Sequence, residues 1–225
     1  MSRIKTIFAA AAASLALTGA ADAALVTVRD NPNNGSSAFA SGLGRNVWIS
    51  HDGSNRAVSA GVFSLQFSDG GAWTDFLTFC LQIDEHLSLP REHQRVADQT
   101  YFPTASDRNA VGALYGNFLT AGTGLKDSTS AAALQTIIWE ITEDGAANFN
   151  LSSGSFKVLS TDVLSKAQTF WAQIISGDYK PLRFDVFAAN GSQDLLTSEV
   201  PIPGAALLFG SALAGFSFAR RQRKS

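Results

Sequence analysis

The sequence has 225 residues, with 17 Lys and Arg against 19 Asp and Glu, a formal net charge of −2 and a single cysteine. The two termini hold six of the basic residues and one of the acidic ones, so the body between them carries a net −7, which speaks against nucleic acid as a partner. With 16% charged residues and 19 glycines the composition fits a β-rich extracellular module better than a helical cytosolic enzyme, and one cysteine excludes an intramolecular disulfide.

Residues 1–23 read as a secretory signal peptide. Arg3 and Lys5 supply the positive start, Ile7 to Leu17 the apolar run, and Ala21-Asp22-Ala23 a small-x-small cleavage site. The body, residues 24–199, has the length of one domain. Ala24 to Arg29 alternates and predicts a strand; Asp30 to Gly42, rich in Asn, Pro, Gly and Ser, predicts a loop; Asn46 to Ser50 predicts a second short strand ending in a His51-Asp52-Gly53 turn. Ala57 to Phe67 and Ala72 to Ile83 predict two strands joined through Ser68-Asp69-Gly70-Gly71. In the second of these Leu77, Phe79, Leu81 and Ile83 share one face, which puts Thr78, Cys80, Gln82 and Asp84 on the other.

Pro90 to Thr104 is polar and reads as mostly loop. His86, Glu92 and His93 fall there or just before it but lack a metal-ligand spacing, so no metal and no cofactor is expected. Ser106 to Leu119 predicts a helix with Val111, Leu114, Tyr115 and Phe118 on its apolar face. Asp127 or Ser128 caps a second helix on which Ala131, Leu134, Ile138 and Ile141 form a stripe, with Gln135 and Trp139 four apart beside it. Thr161 to Ile175 predicts a third helix; Leu182 to Ala188 and Asp194 to Ser198 predict a closing hairpin. The order strands, helices, strands is that of an α+β domain: a β-sandwich or barrel-like sheet layer carrying an inserted subdomain of about three helices.

The C-terminal segment, residues 200–225, begins with Val200-Pro201-Ile202-Pro203, which stops regular structure. A charge-free run from Gly204 to Ala219 follows, then Arg220, Arg221, Arg223 and Lys224. As a helix at roughly 1.5 Å per residue that run spans about 24 Å, short of a hydrocarbon core of about 30 Å, a gap that snorkelling arginines and local thinning can cover. A short Pro motif, an apolar helix and a terminal Arg cluster resemble the tripartite sorting tail of Gram-negative exosortase substrates, the PEP-CTERM class; Val-Pro-Ile-Pro in place of Val-Pro-Glu-Pro is closer to the Val-Pro-Leu-Pro-Ala variant. The resemblance implies an exosortase-type enzyme as partner, a membrane-held intermediate through the C-terminal helix, and final placement at the cell surface or in the matrix of a Gram-negative cell.

Phe79-Cys80-Leu81 followed by Leu134-Gln135-Thr136-Ile137-Ile138-Trp139 resembles the paired motif of bacterial thioester domains, found in surface adhesins. There the cysteine sulfur and the glutamine carbonyl join as an internal thioester; the matching residues here are Cys80 and Gln135. Such a bond needs a thiolate to form and apolar neighbours to keep water away, roles for which Phe79, Leu81, Leu134, Ile138 and Trp139 are candidates. Asp84, Glu85 and His86 follow the end of the predicted strand at Ile83 and are candidate general bases, while Gln82 is an alternative acyl partner two residues from Cys80. The implied function is single-use covalent attachment to an amine-bearing surface or matrix component rather than turnover. The alternative is a non-covalent matrix- or carbohydrate-binding module with the same tail. A cysteine hydrolase would need one of His51, His86 or His93 beside the thiol.

Overall fold

A computed structural model describes residues 24–120, 125–177 and 181–198. The signal segment 1–23, the Val200-Pro201-Ile202-Pro203 motif and the Arg220–Lys224 cluster lie outside the described residues. Among the described residues the fold is mixed α+β, as the sequence order predicts: one antiparallel sheet of eight strands and four α-helices. No helix among them is long and apolar enough to cross a membrane.

The sheet is built on one long hairpin. β2 (Phe39–His51) and β3 (Ser54–Ser68) are joined by Asp52 and Gly53, both at positive φ (48° and 79°). That conformation matches the right-handed twist of paired strands and suits an Asp-Gly dipeptide. β1 (Leu25–Asp30) pairs with the far end of β3, so β2 and β1 follow each other along one edge while β4 (Thr74–Thr78) takes the opposite edge. β5 (Arg91–Ala97) pairs with β1 and then with β7 (Phe184–Ala188), and β7 with β8 (Leu195–Ser198). β8 returns to the segment that continues β4: Leu196 N–H donates to Phe79 O (3.0 Å), Leu81 N–H donates to Asp194 O (2.9 Å), and Cys80 faces Leu195 between them. β3, β1, β5, β7, β8 and β4 with its extension thus form a closed hydrogen-bonded circuit. Phe67, Phe76 and Phe187, from three of these strands, meet edge-on at 5.2–5.7 Å.

β5 corrects the expected loop over Pro90 to Thr104, which also contains α1 (Asp98–Tyr101). Its sequence is polar, yet both edges are satisfied by ladders. Its inward groups have polar partners: buried His93 lies between the main-chain carbonyls of Arg91 and Gln193, and Arg95 donates to Asp185 (2.7 Å). Ladder pairing by neighbours outweighs local composition here. A three-residue strand, β6 (Phe156–Val158), pairs with β2 just before α4, where the sequence reading assigns no element.

α2 (Ala105–Leu114) continues as a π-helical turn, Tyr115–Thr120. α3 (Ser128–Glu143) starts at Asp127, whose carboxylate accepts from Ser130 N–H (2.7 Å). α4 (Thr161–Ile175) has the predicted bounds and packs on α3, with Phe118 against Phe170 and Phe149 stacked on Trp171 at 3.7 Å. α3 also covers β2 and β3, so it is buried on every side from Ser130 to Ile141. It is a central helix rather than one with a single apolar stripe.

Candidate functional site

Two elements bring Cys80 and Gln135 together. β4 ends at Thr78, where its pairing with β3 stops, and the chain runs on against β8 alone. In that pairing Phe79 and Leu81 exchange hydrogen bonds with β8, which turns the N–H and C=O of Cys80 to the opposite side, where no strand remains. The Gln135 carboxamide fills the gap. Cys80 N–H donates to Gln135 Oε1 (3.2 Å), and Gln135 Nε2 donates to Cys80 O (2.7 Å). One side chain of α3 therefore imitates the edge of a missing strand, and the donor and acceptor of Cys80 fix which way the amide faces.

The surroundings are closed. Cys80 is 2% exposed and Gln135 1%, while the candidate shield residues Phe79, Leu81, Leu134, Ile138 and Trp139 lie between 0 and 2%. The expected alternation along residues 77–83 is corrected: Leu77 is 38% exposed, whereas Thr78, Phe79, Cys80 and Leu81 are all buried. The chain passes at Thr78 from a half-covered strand to one covered on both faces, so neighbouring side chains are buried irrespective of parity. Burial pushes the Cys80 thiol up to about 12, and the polar N–H groups that surround the sulfur oppose the rise only in part. Trp139 Nε1 has no hydrogen-bond partner.

The other candidates are placed differently. Gln82 turns to the β7–β8 connection, its Oε1 accepting from Asp194 N–H (3.0 Å), so it is not the amide that meets Cys80. Asp84, Glu85 and His86 are exposed. Asp84 pairs with Arg56, whose guanidinium holds its carboxyl low, and its Oδ1 lies 3.5 Å from His51 Nδ1. His51 in turn reaches Glu143 (3.1 Å), two turns beyond Gln135 on α3. At roughly 1.5 Å per residue that is about 12 Å along the helix axis, so this charged cluster marks the far end of α3 and not the thiol. None of His51, His86 and His93 has a hydrogen bond to Cys80 among the described residues. Nor is any group of three His, Cys, Asp or Glu side chains among them arranged to hold a metal ion.

Residues from the closing hairpin, which sequence reasoning does not single out, complete the site. Gln193 is 9% exposed; its Nε2 donates to Gln82 O (3.3 Å), and its Oε1 has no partner. Asp194 holds the turn, with Oδ1 accepting from Ala189 N–H and Oδ2 from Tyr101 Oη, both at 2.8 Å. The only hint in the sequence is three polar residues, Ser192, Gln193 and Asp194, between Asn190-Gly191 and an apolar strand. Compared with known proteins, the chain matches no family model, no curated protein and no solved structure.

Proposed function

We propose that Cys80 and Gln135 close an internal thioester and that the chain is an exported, surface-anchored protein that uses it once, to attach to an amine-bearing surface or matrix component. The observation that carries this reading is the Gln135 carboxamide held by two hydrogen bonds against the main chain of the one cysteine, in a site sealed from water. In forming the bond, sulfur attacks the amide carbon, the C–N bond breaks, the thiol proton leaves with the nitrogen, and ammonia departs. Cys80 N–H already points at Oε1 and so faces the oxygen on which negative charge develops. A thiol raised to about 12 gives little thiolate at neutral pH, which suits a bond made slowly and once.

The signal segment and the Val200–Pro203 tail supply export and anchoring in this reading. The closed strand circuit supports a barrel-like sheet layer, with the helical stretch between β5 and β7 as the insertion. Intact-mass measurement of native material tests the bond: the chain should be lighter than its processed sequence by one ammonia. Methylamine should then add its own mass and expose an alkylatable thiol. Full mass with Cys80 freely alkylated from the start refutes the proposal.

A further inference from the structure

The Cys80–Leu195 pairing also determines what stands beside the sulfur. Cys80 and Gln82 lie two apart on one strand, and Leu195 and Gln193 two apart on the other, so Gln193 is the diagonal neighbour of Cys80 on the same face. Its Nε2 donates to Gln82 O, which anchors the carboxamide over the segment that follows Cys80. Its Oε1 is a buried carbonyl oxygen without a donor. Leaving such an acceptor unpaired costs on the order of 1–3 kcal/mol, and nothing in the strand pairing requires it: Asp194, next in the chain, has both carboxylate oxygens occupied. An unpaired acceptor beside a reactive bond is a place for a donor that arrives with the reaction.

Resting on the thioester reading, we propose that Gln193 is the specificity-determining residue for the nucleophile: its Oε1 accepts an N–H hydrogen bond from the incoming amine and so selects amines over nucleophiles that carry no hydrogen. In the step the amine nitrogen attacks the Gln135 acyl carbon, the C–S bond breaks, and one amine proton passes to the Cys80 sulfur. The products are a substituted amide at Gln135 and a free thiol. Oε1 takes no proton; it orients the remaining N–H as the nitrogen becomes positive.

The test compares two nucleophiles on the intact chain. Methylamine brings N–H groups; 2-mercaptoethanol as its thiolate brings none at the attacking atom. Any effect of Gln193 on packing or on the departing sulfur is common to both and cancels in the ratio of their rates. In Gln193→Met the methylamine-to-thiolate rate ratio should fall about tenfold, the loss of one hydrogen bond in a dry site. Gln193→Glu, which keeps an acceptor oxygen and adds a charge that repels the thiolate, should not lower the ratio, and a lowered ratio decides against the inference where the Met variant does not fold. An unchanged ratio in Gln193→Met, or a tenfold loss in Gln193→Glu, overturns the inference while leaving the thioester standing. Absence of the ammonia loss in the unmodified chain overturns the thioester and this inference together.

Discussion

Removing the sulfur should cost more stability than its volume explains. Cys80 and Gln135 are 55 residues apart, and closing a loop of that size by a covalent link is worth about 4 kcal/mol on the chain-entropy account. On the proposed thioester, Cys80→Ala loses that link and leaves a small void worth about 1 kcal/mol. It also regains the Gln135 Nε2 donor that thioester formation expels, which returns about 1 kcal/mol through Cys80 O. The net loss is about 4 kcal/mol, or about 8–16 °C in melting temperature for a domain of this size. Methylamine treatment of the unmodified chain opens the same link without a void and should lower the midpoint by about 6–12 °C on the same scale. Differential scanning calorimetry on the three samples measures this. If treated and untreated chains melt together, and Cys80→Ala melts within about 4 °C of them, roughly the cost of the void alone, no crosslink stabilises the native fold.

Gln135→Met loses the same covalent link, worth about 4 kcal/mol, and orphans the buried N–H of Cys80 at about 1–3 kcal/mol, so it should destabilise by about 5–7 kcal/mol in urea unfolding. Glu140 is buried with Oε1 accepting from Asn150 N–H and Oε2 unpartnered, and burial raises its carboxyl to about 7, with Asp144 adding to the rise. Its folded value lies above its unfolded one, so the stability it allows is complete below about pH 4.5 and is lost as pH rises through about 7. Glu140→Gln should therefore flatten the pH dependence of unfolding between these values and be more stable than the parent at pH 8. Gly154 has φ +105°, and a Cβ there would run into the Asp144 carboxylate, which accepts from Ser155 and Phe156 N–H. Gly154→Ala should cost about 1–3 kcal/mol and raise amide exchange along β6.

The sequence signalled what depends on local periodicity and capping. The helix over Thr161–Ile175, the Asp127 cap and the Asp52-Gly53 turn are each written in a few adjacent residues. β5 was hidden because its polar side chains are satisfied by β1, β7 and Asp185, none of them near it in sequence. The even burial of Thr78 to Leu81 was hidden for the same reason: β8, which covers it, comes more than a hundred residues later. The Cys80–Gln135 pair was suggested by the resemblance of its two motifs to those of thioester domains, yet the way it meets was not. That geometry rests on β4 losing its β3 partner at Thr78, and Gln193 enters only through the β8 register.

The same amide that would become the acyl group also completes the main-chain hydrogen bonding of Cys80, and this gives the reaction a direction. Expelling ammonia removes the donor to Cys80 O and leaves a buried carbonyl unpaired, a state less favourable by about 1–3 kcal/mol. Attack by a primary amine puts an N–H back at the same position, whereas hydrolysis returns a carboxylate that repels the carbonyl. The amide product therefore regains a hydrogen bond that the hydrolysed product cannot make. Strand geometry as well as bond energy then favours an amine over water, in a site whose burial already keeps water scarce.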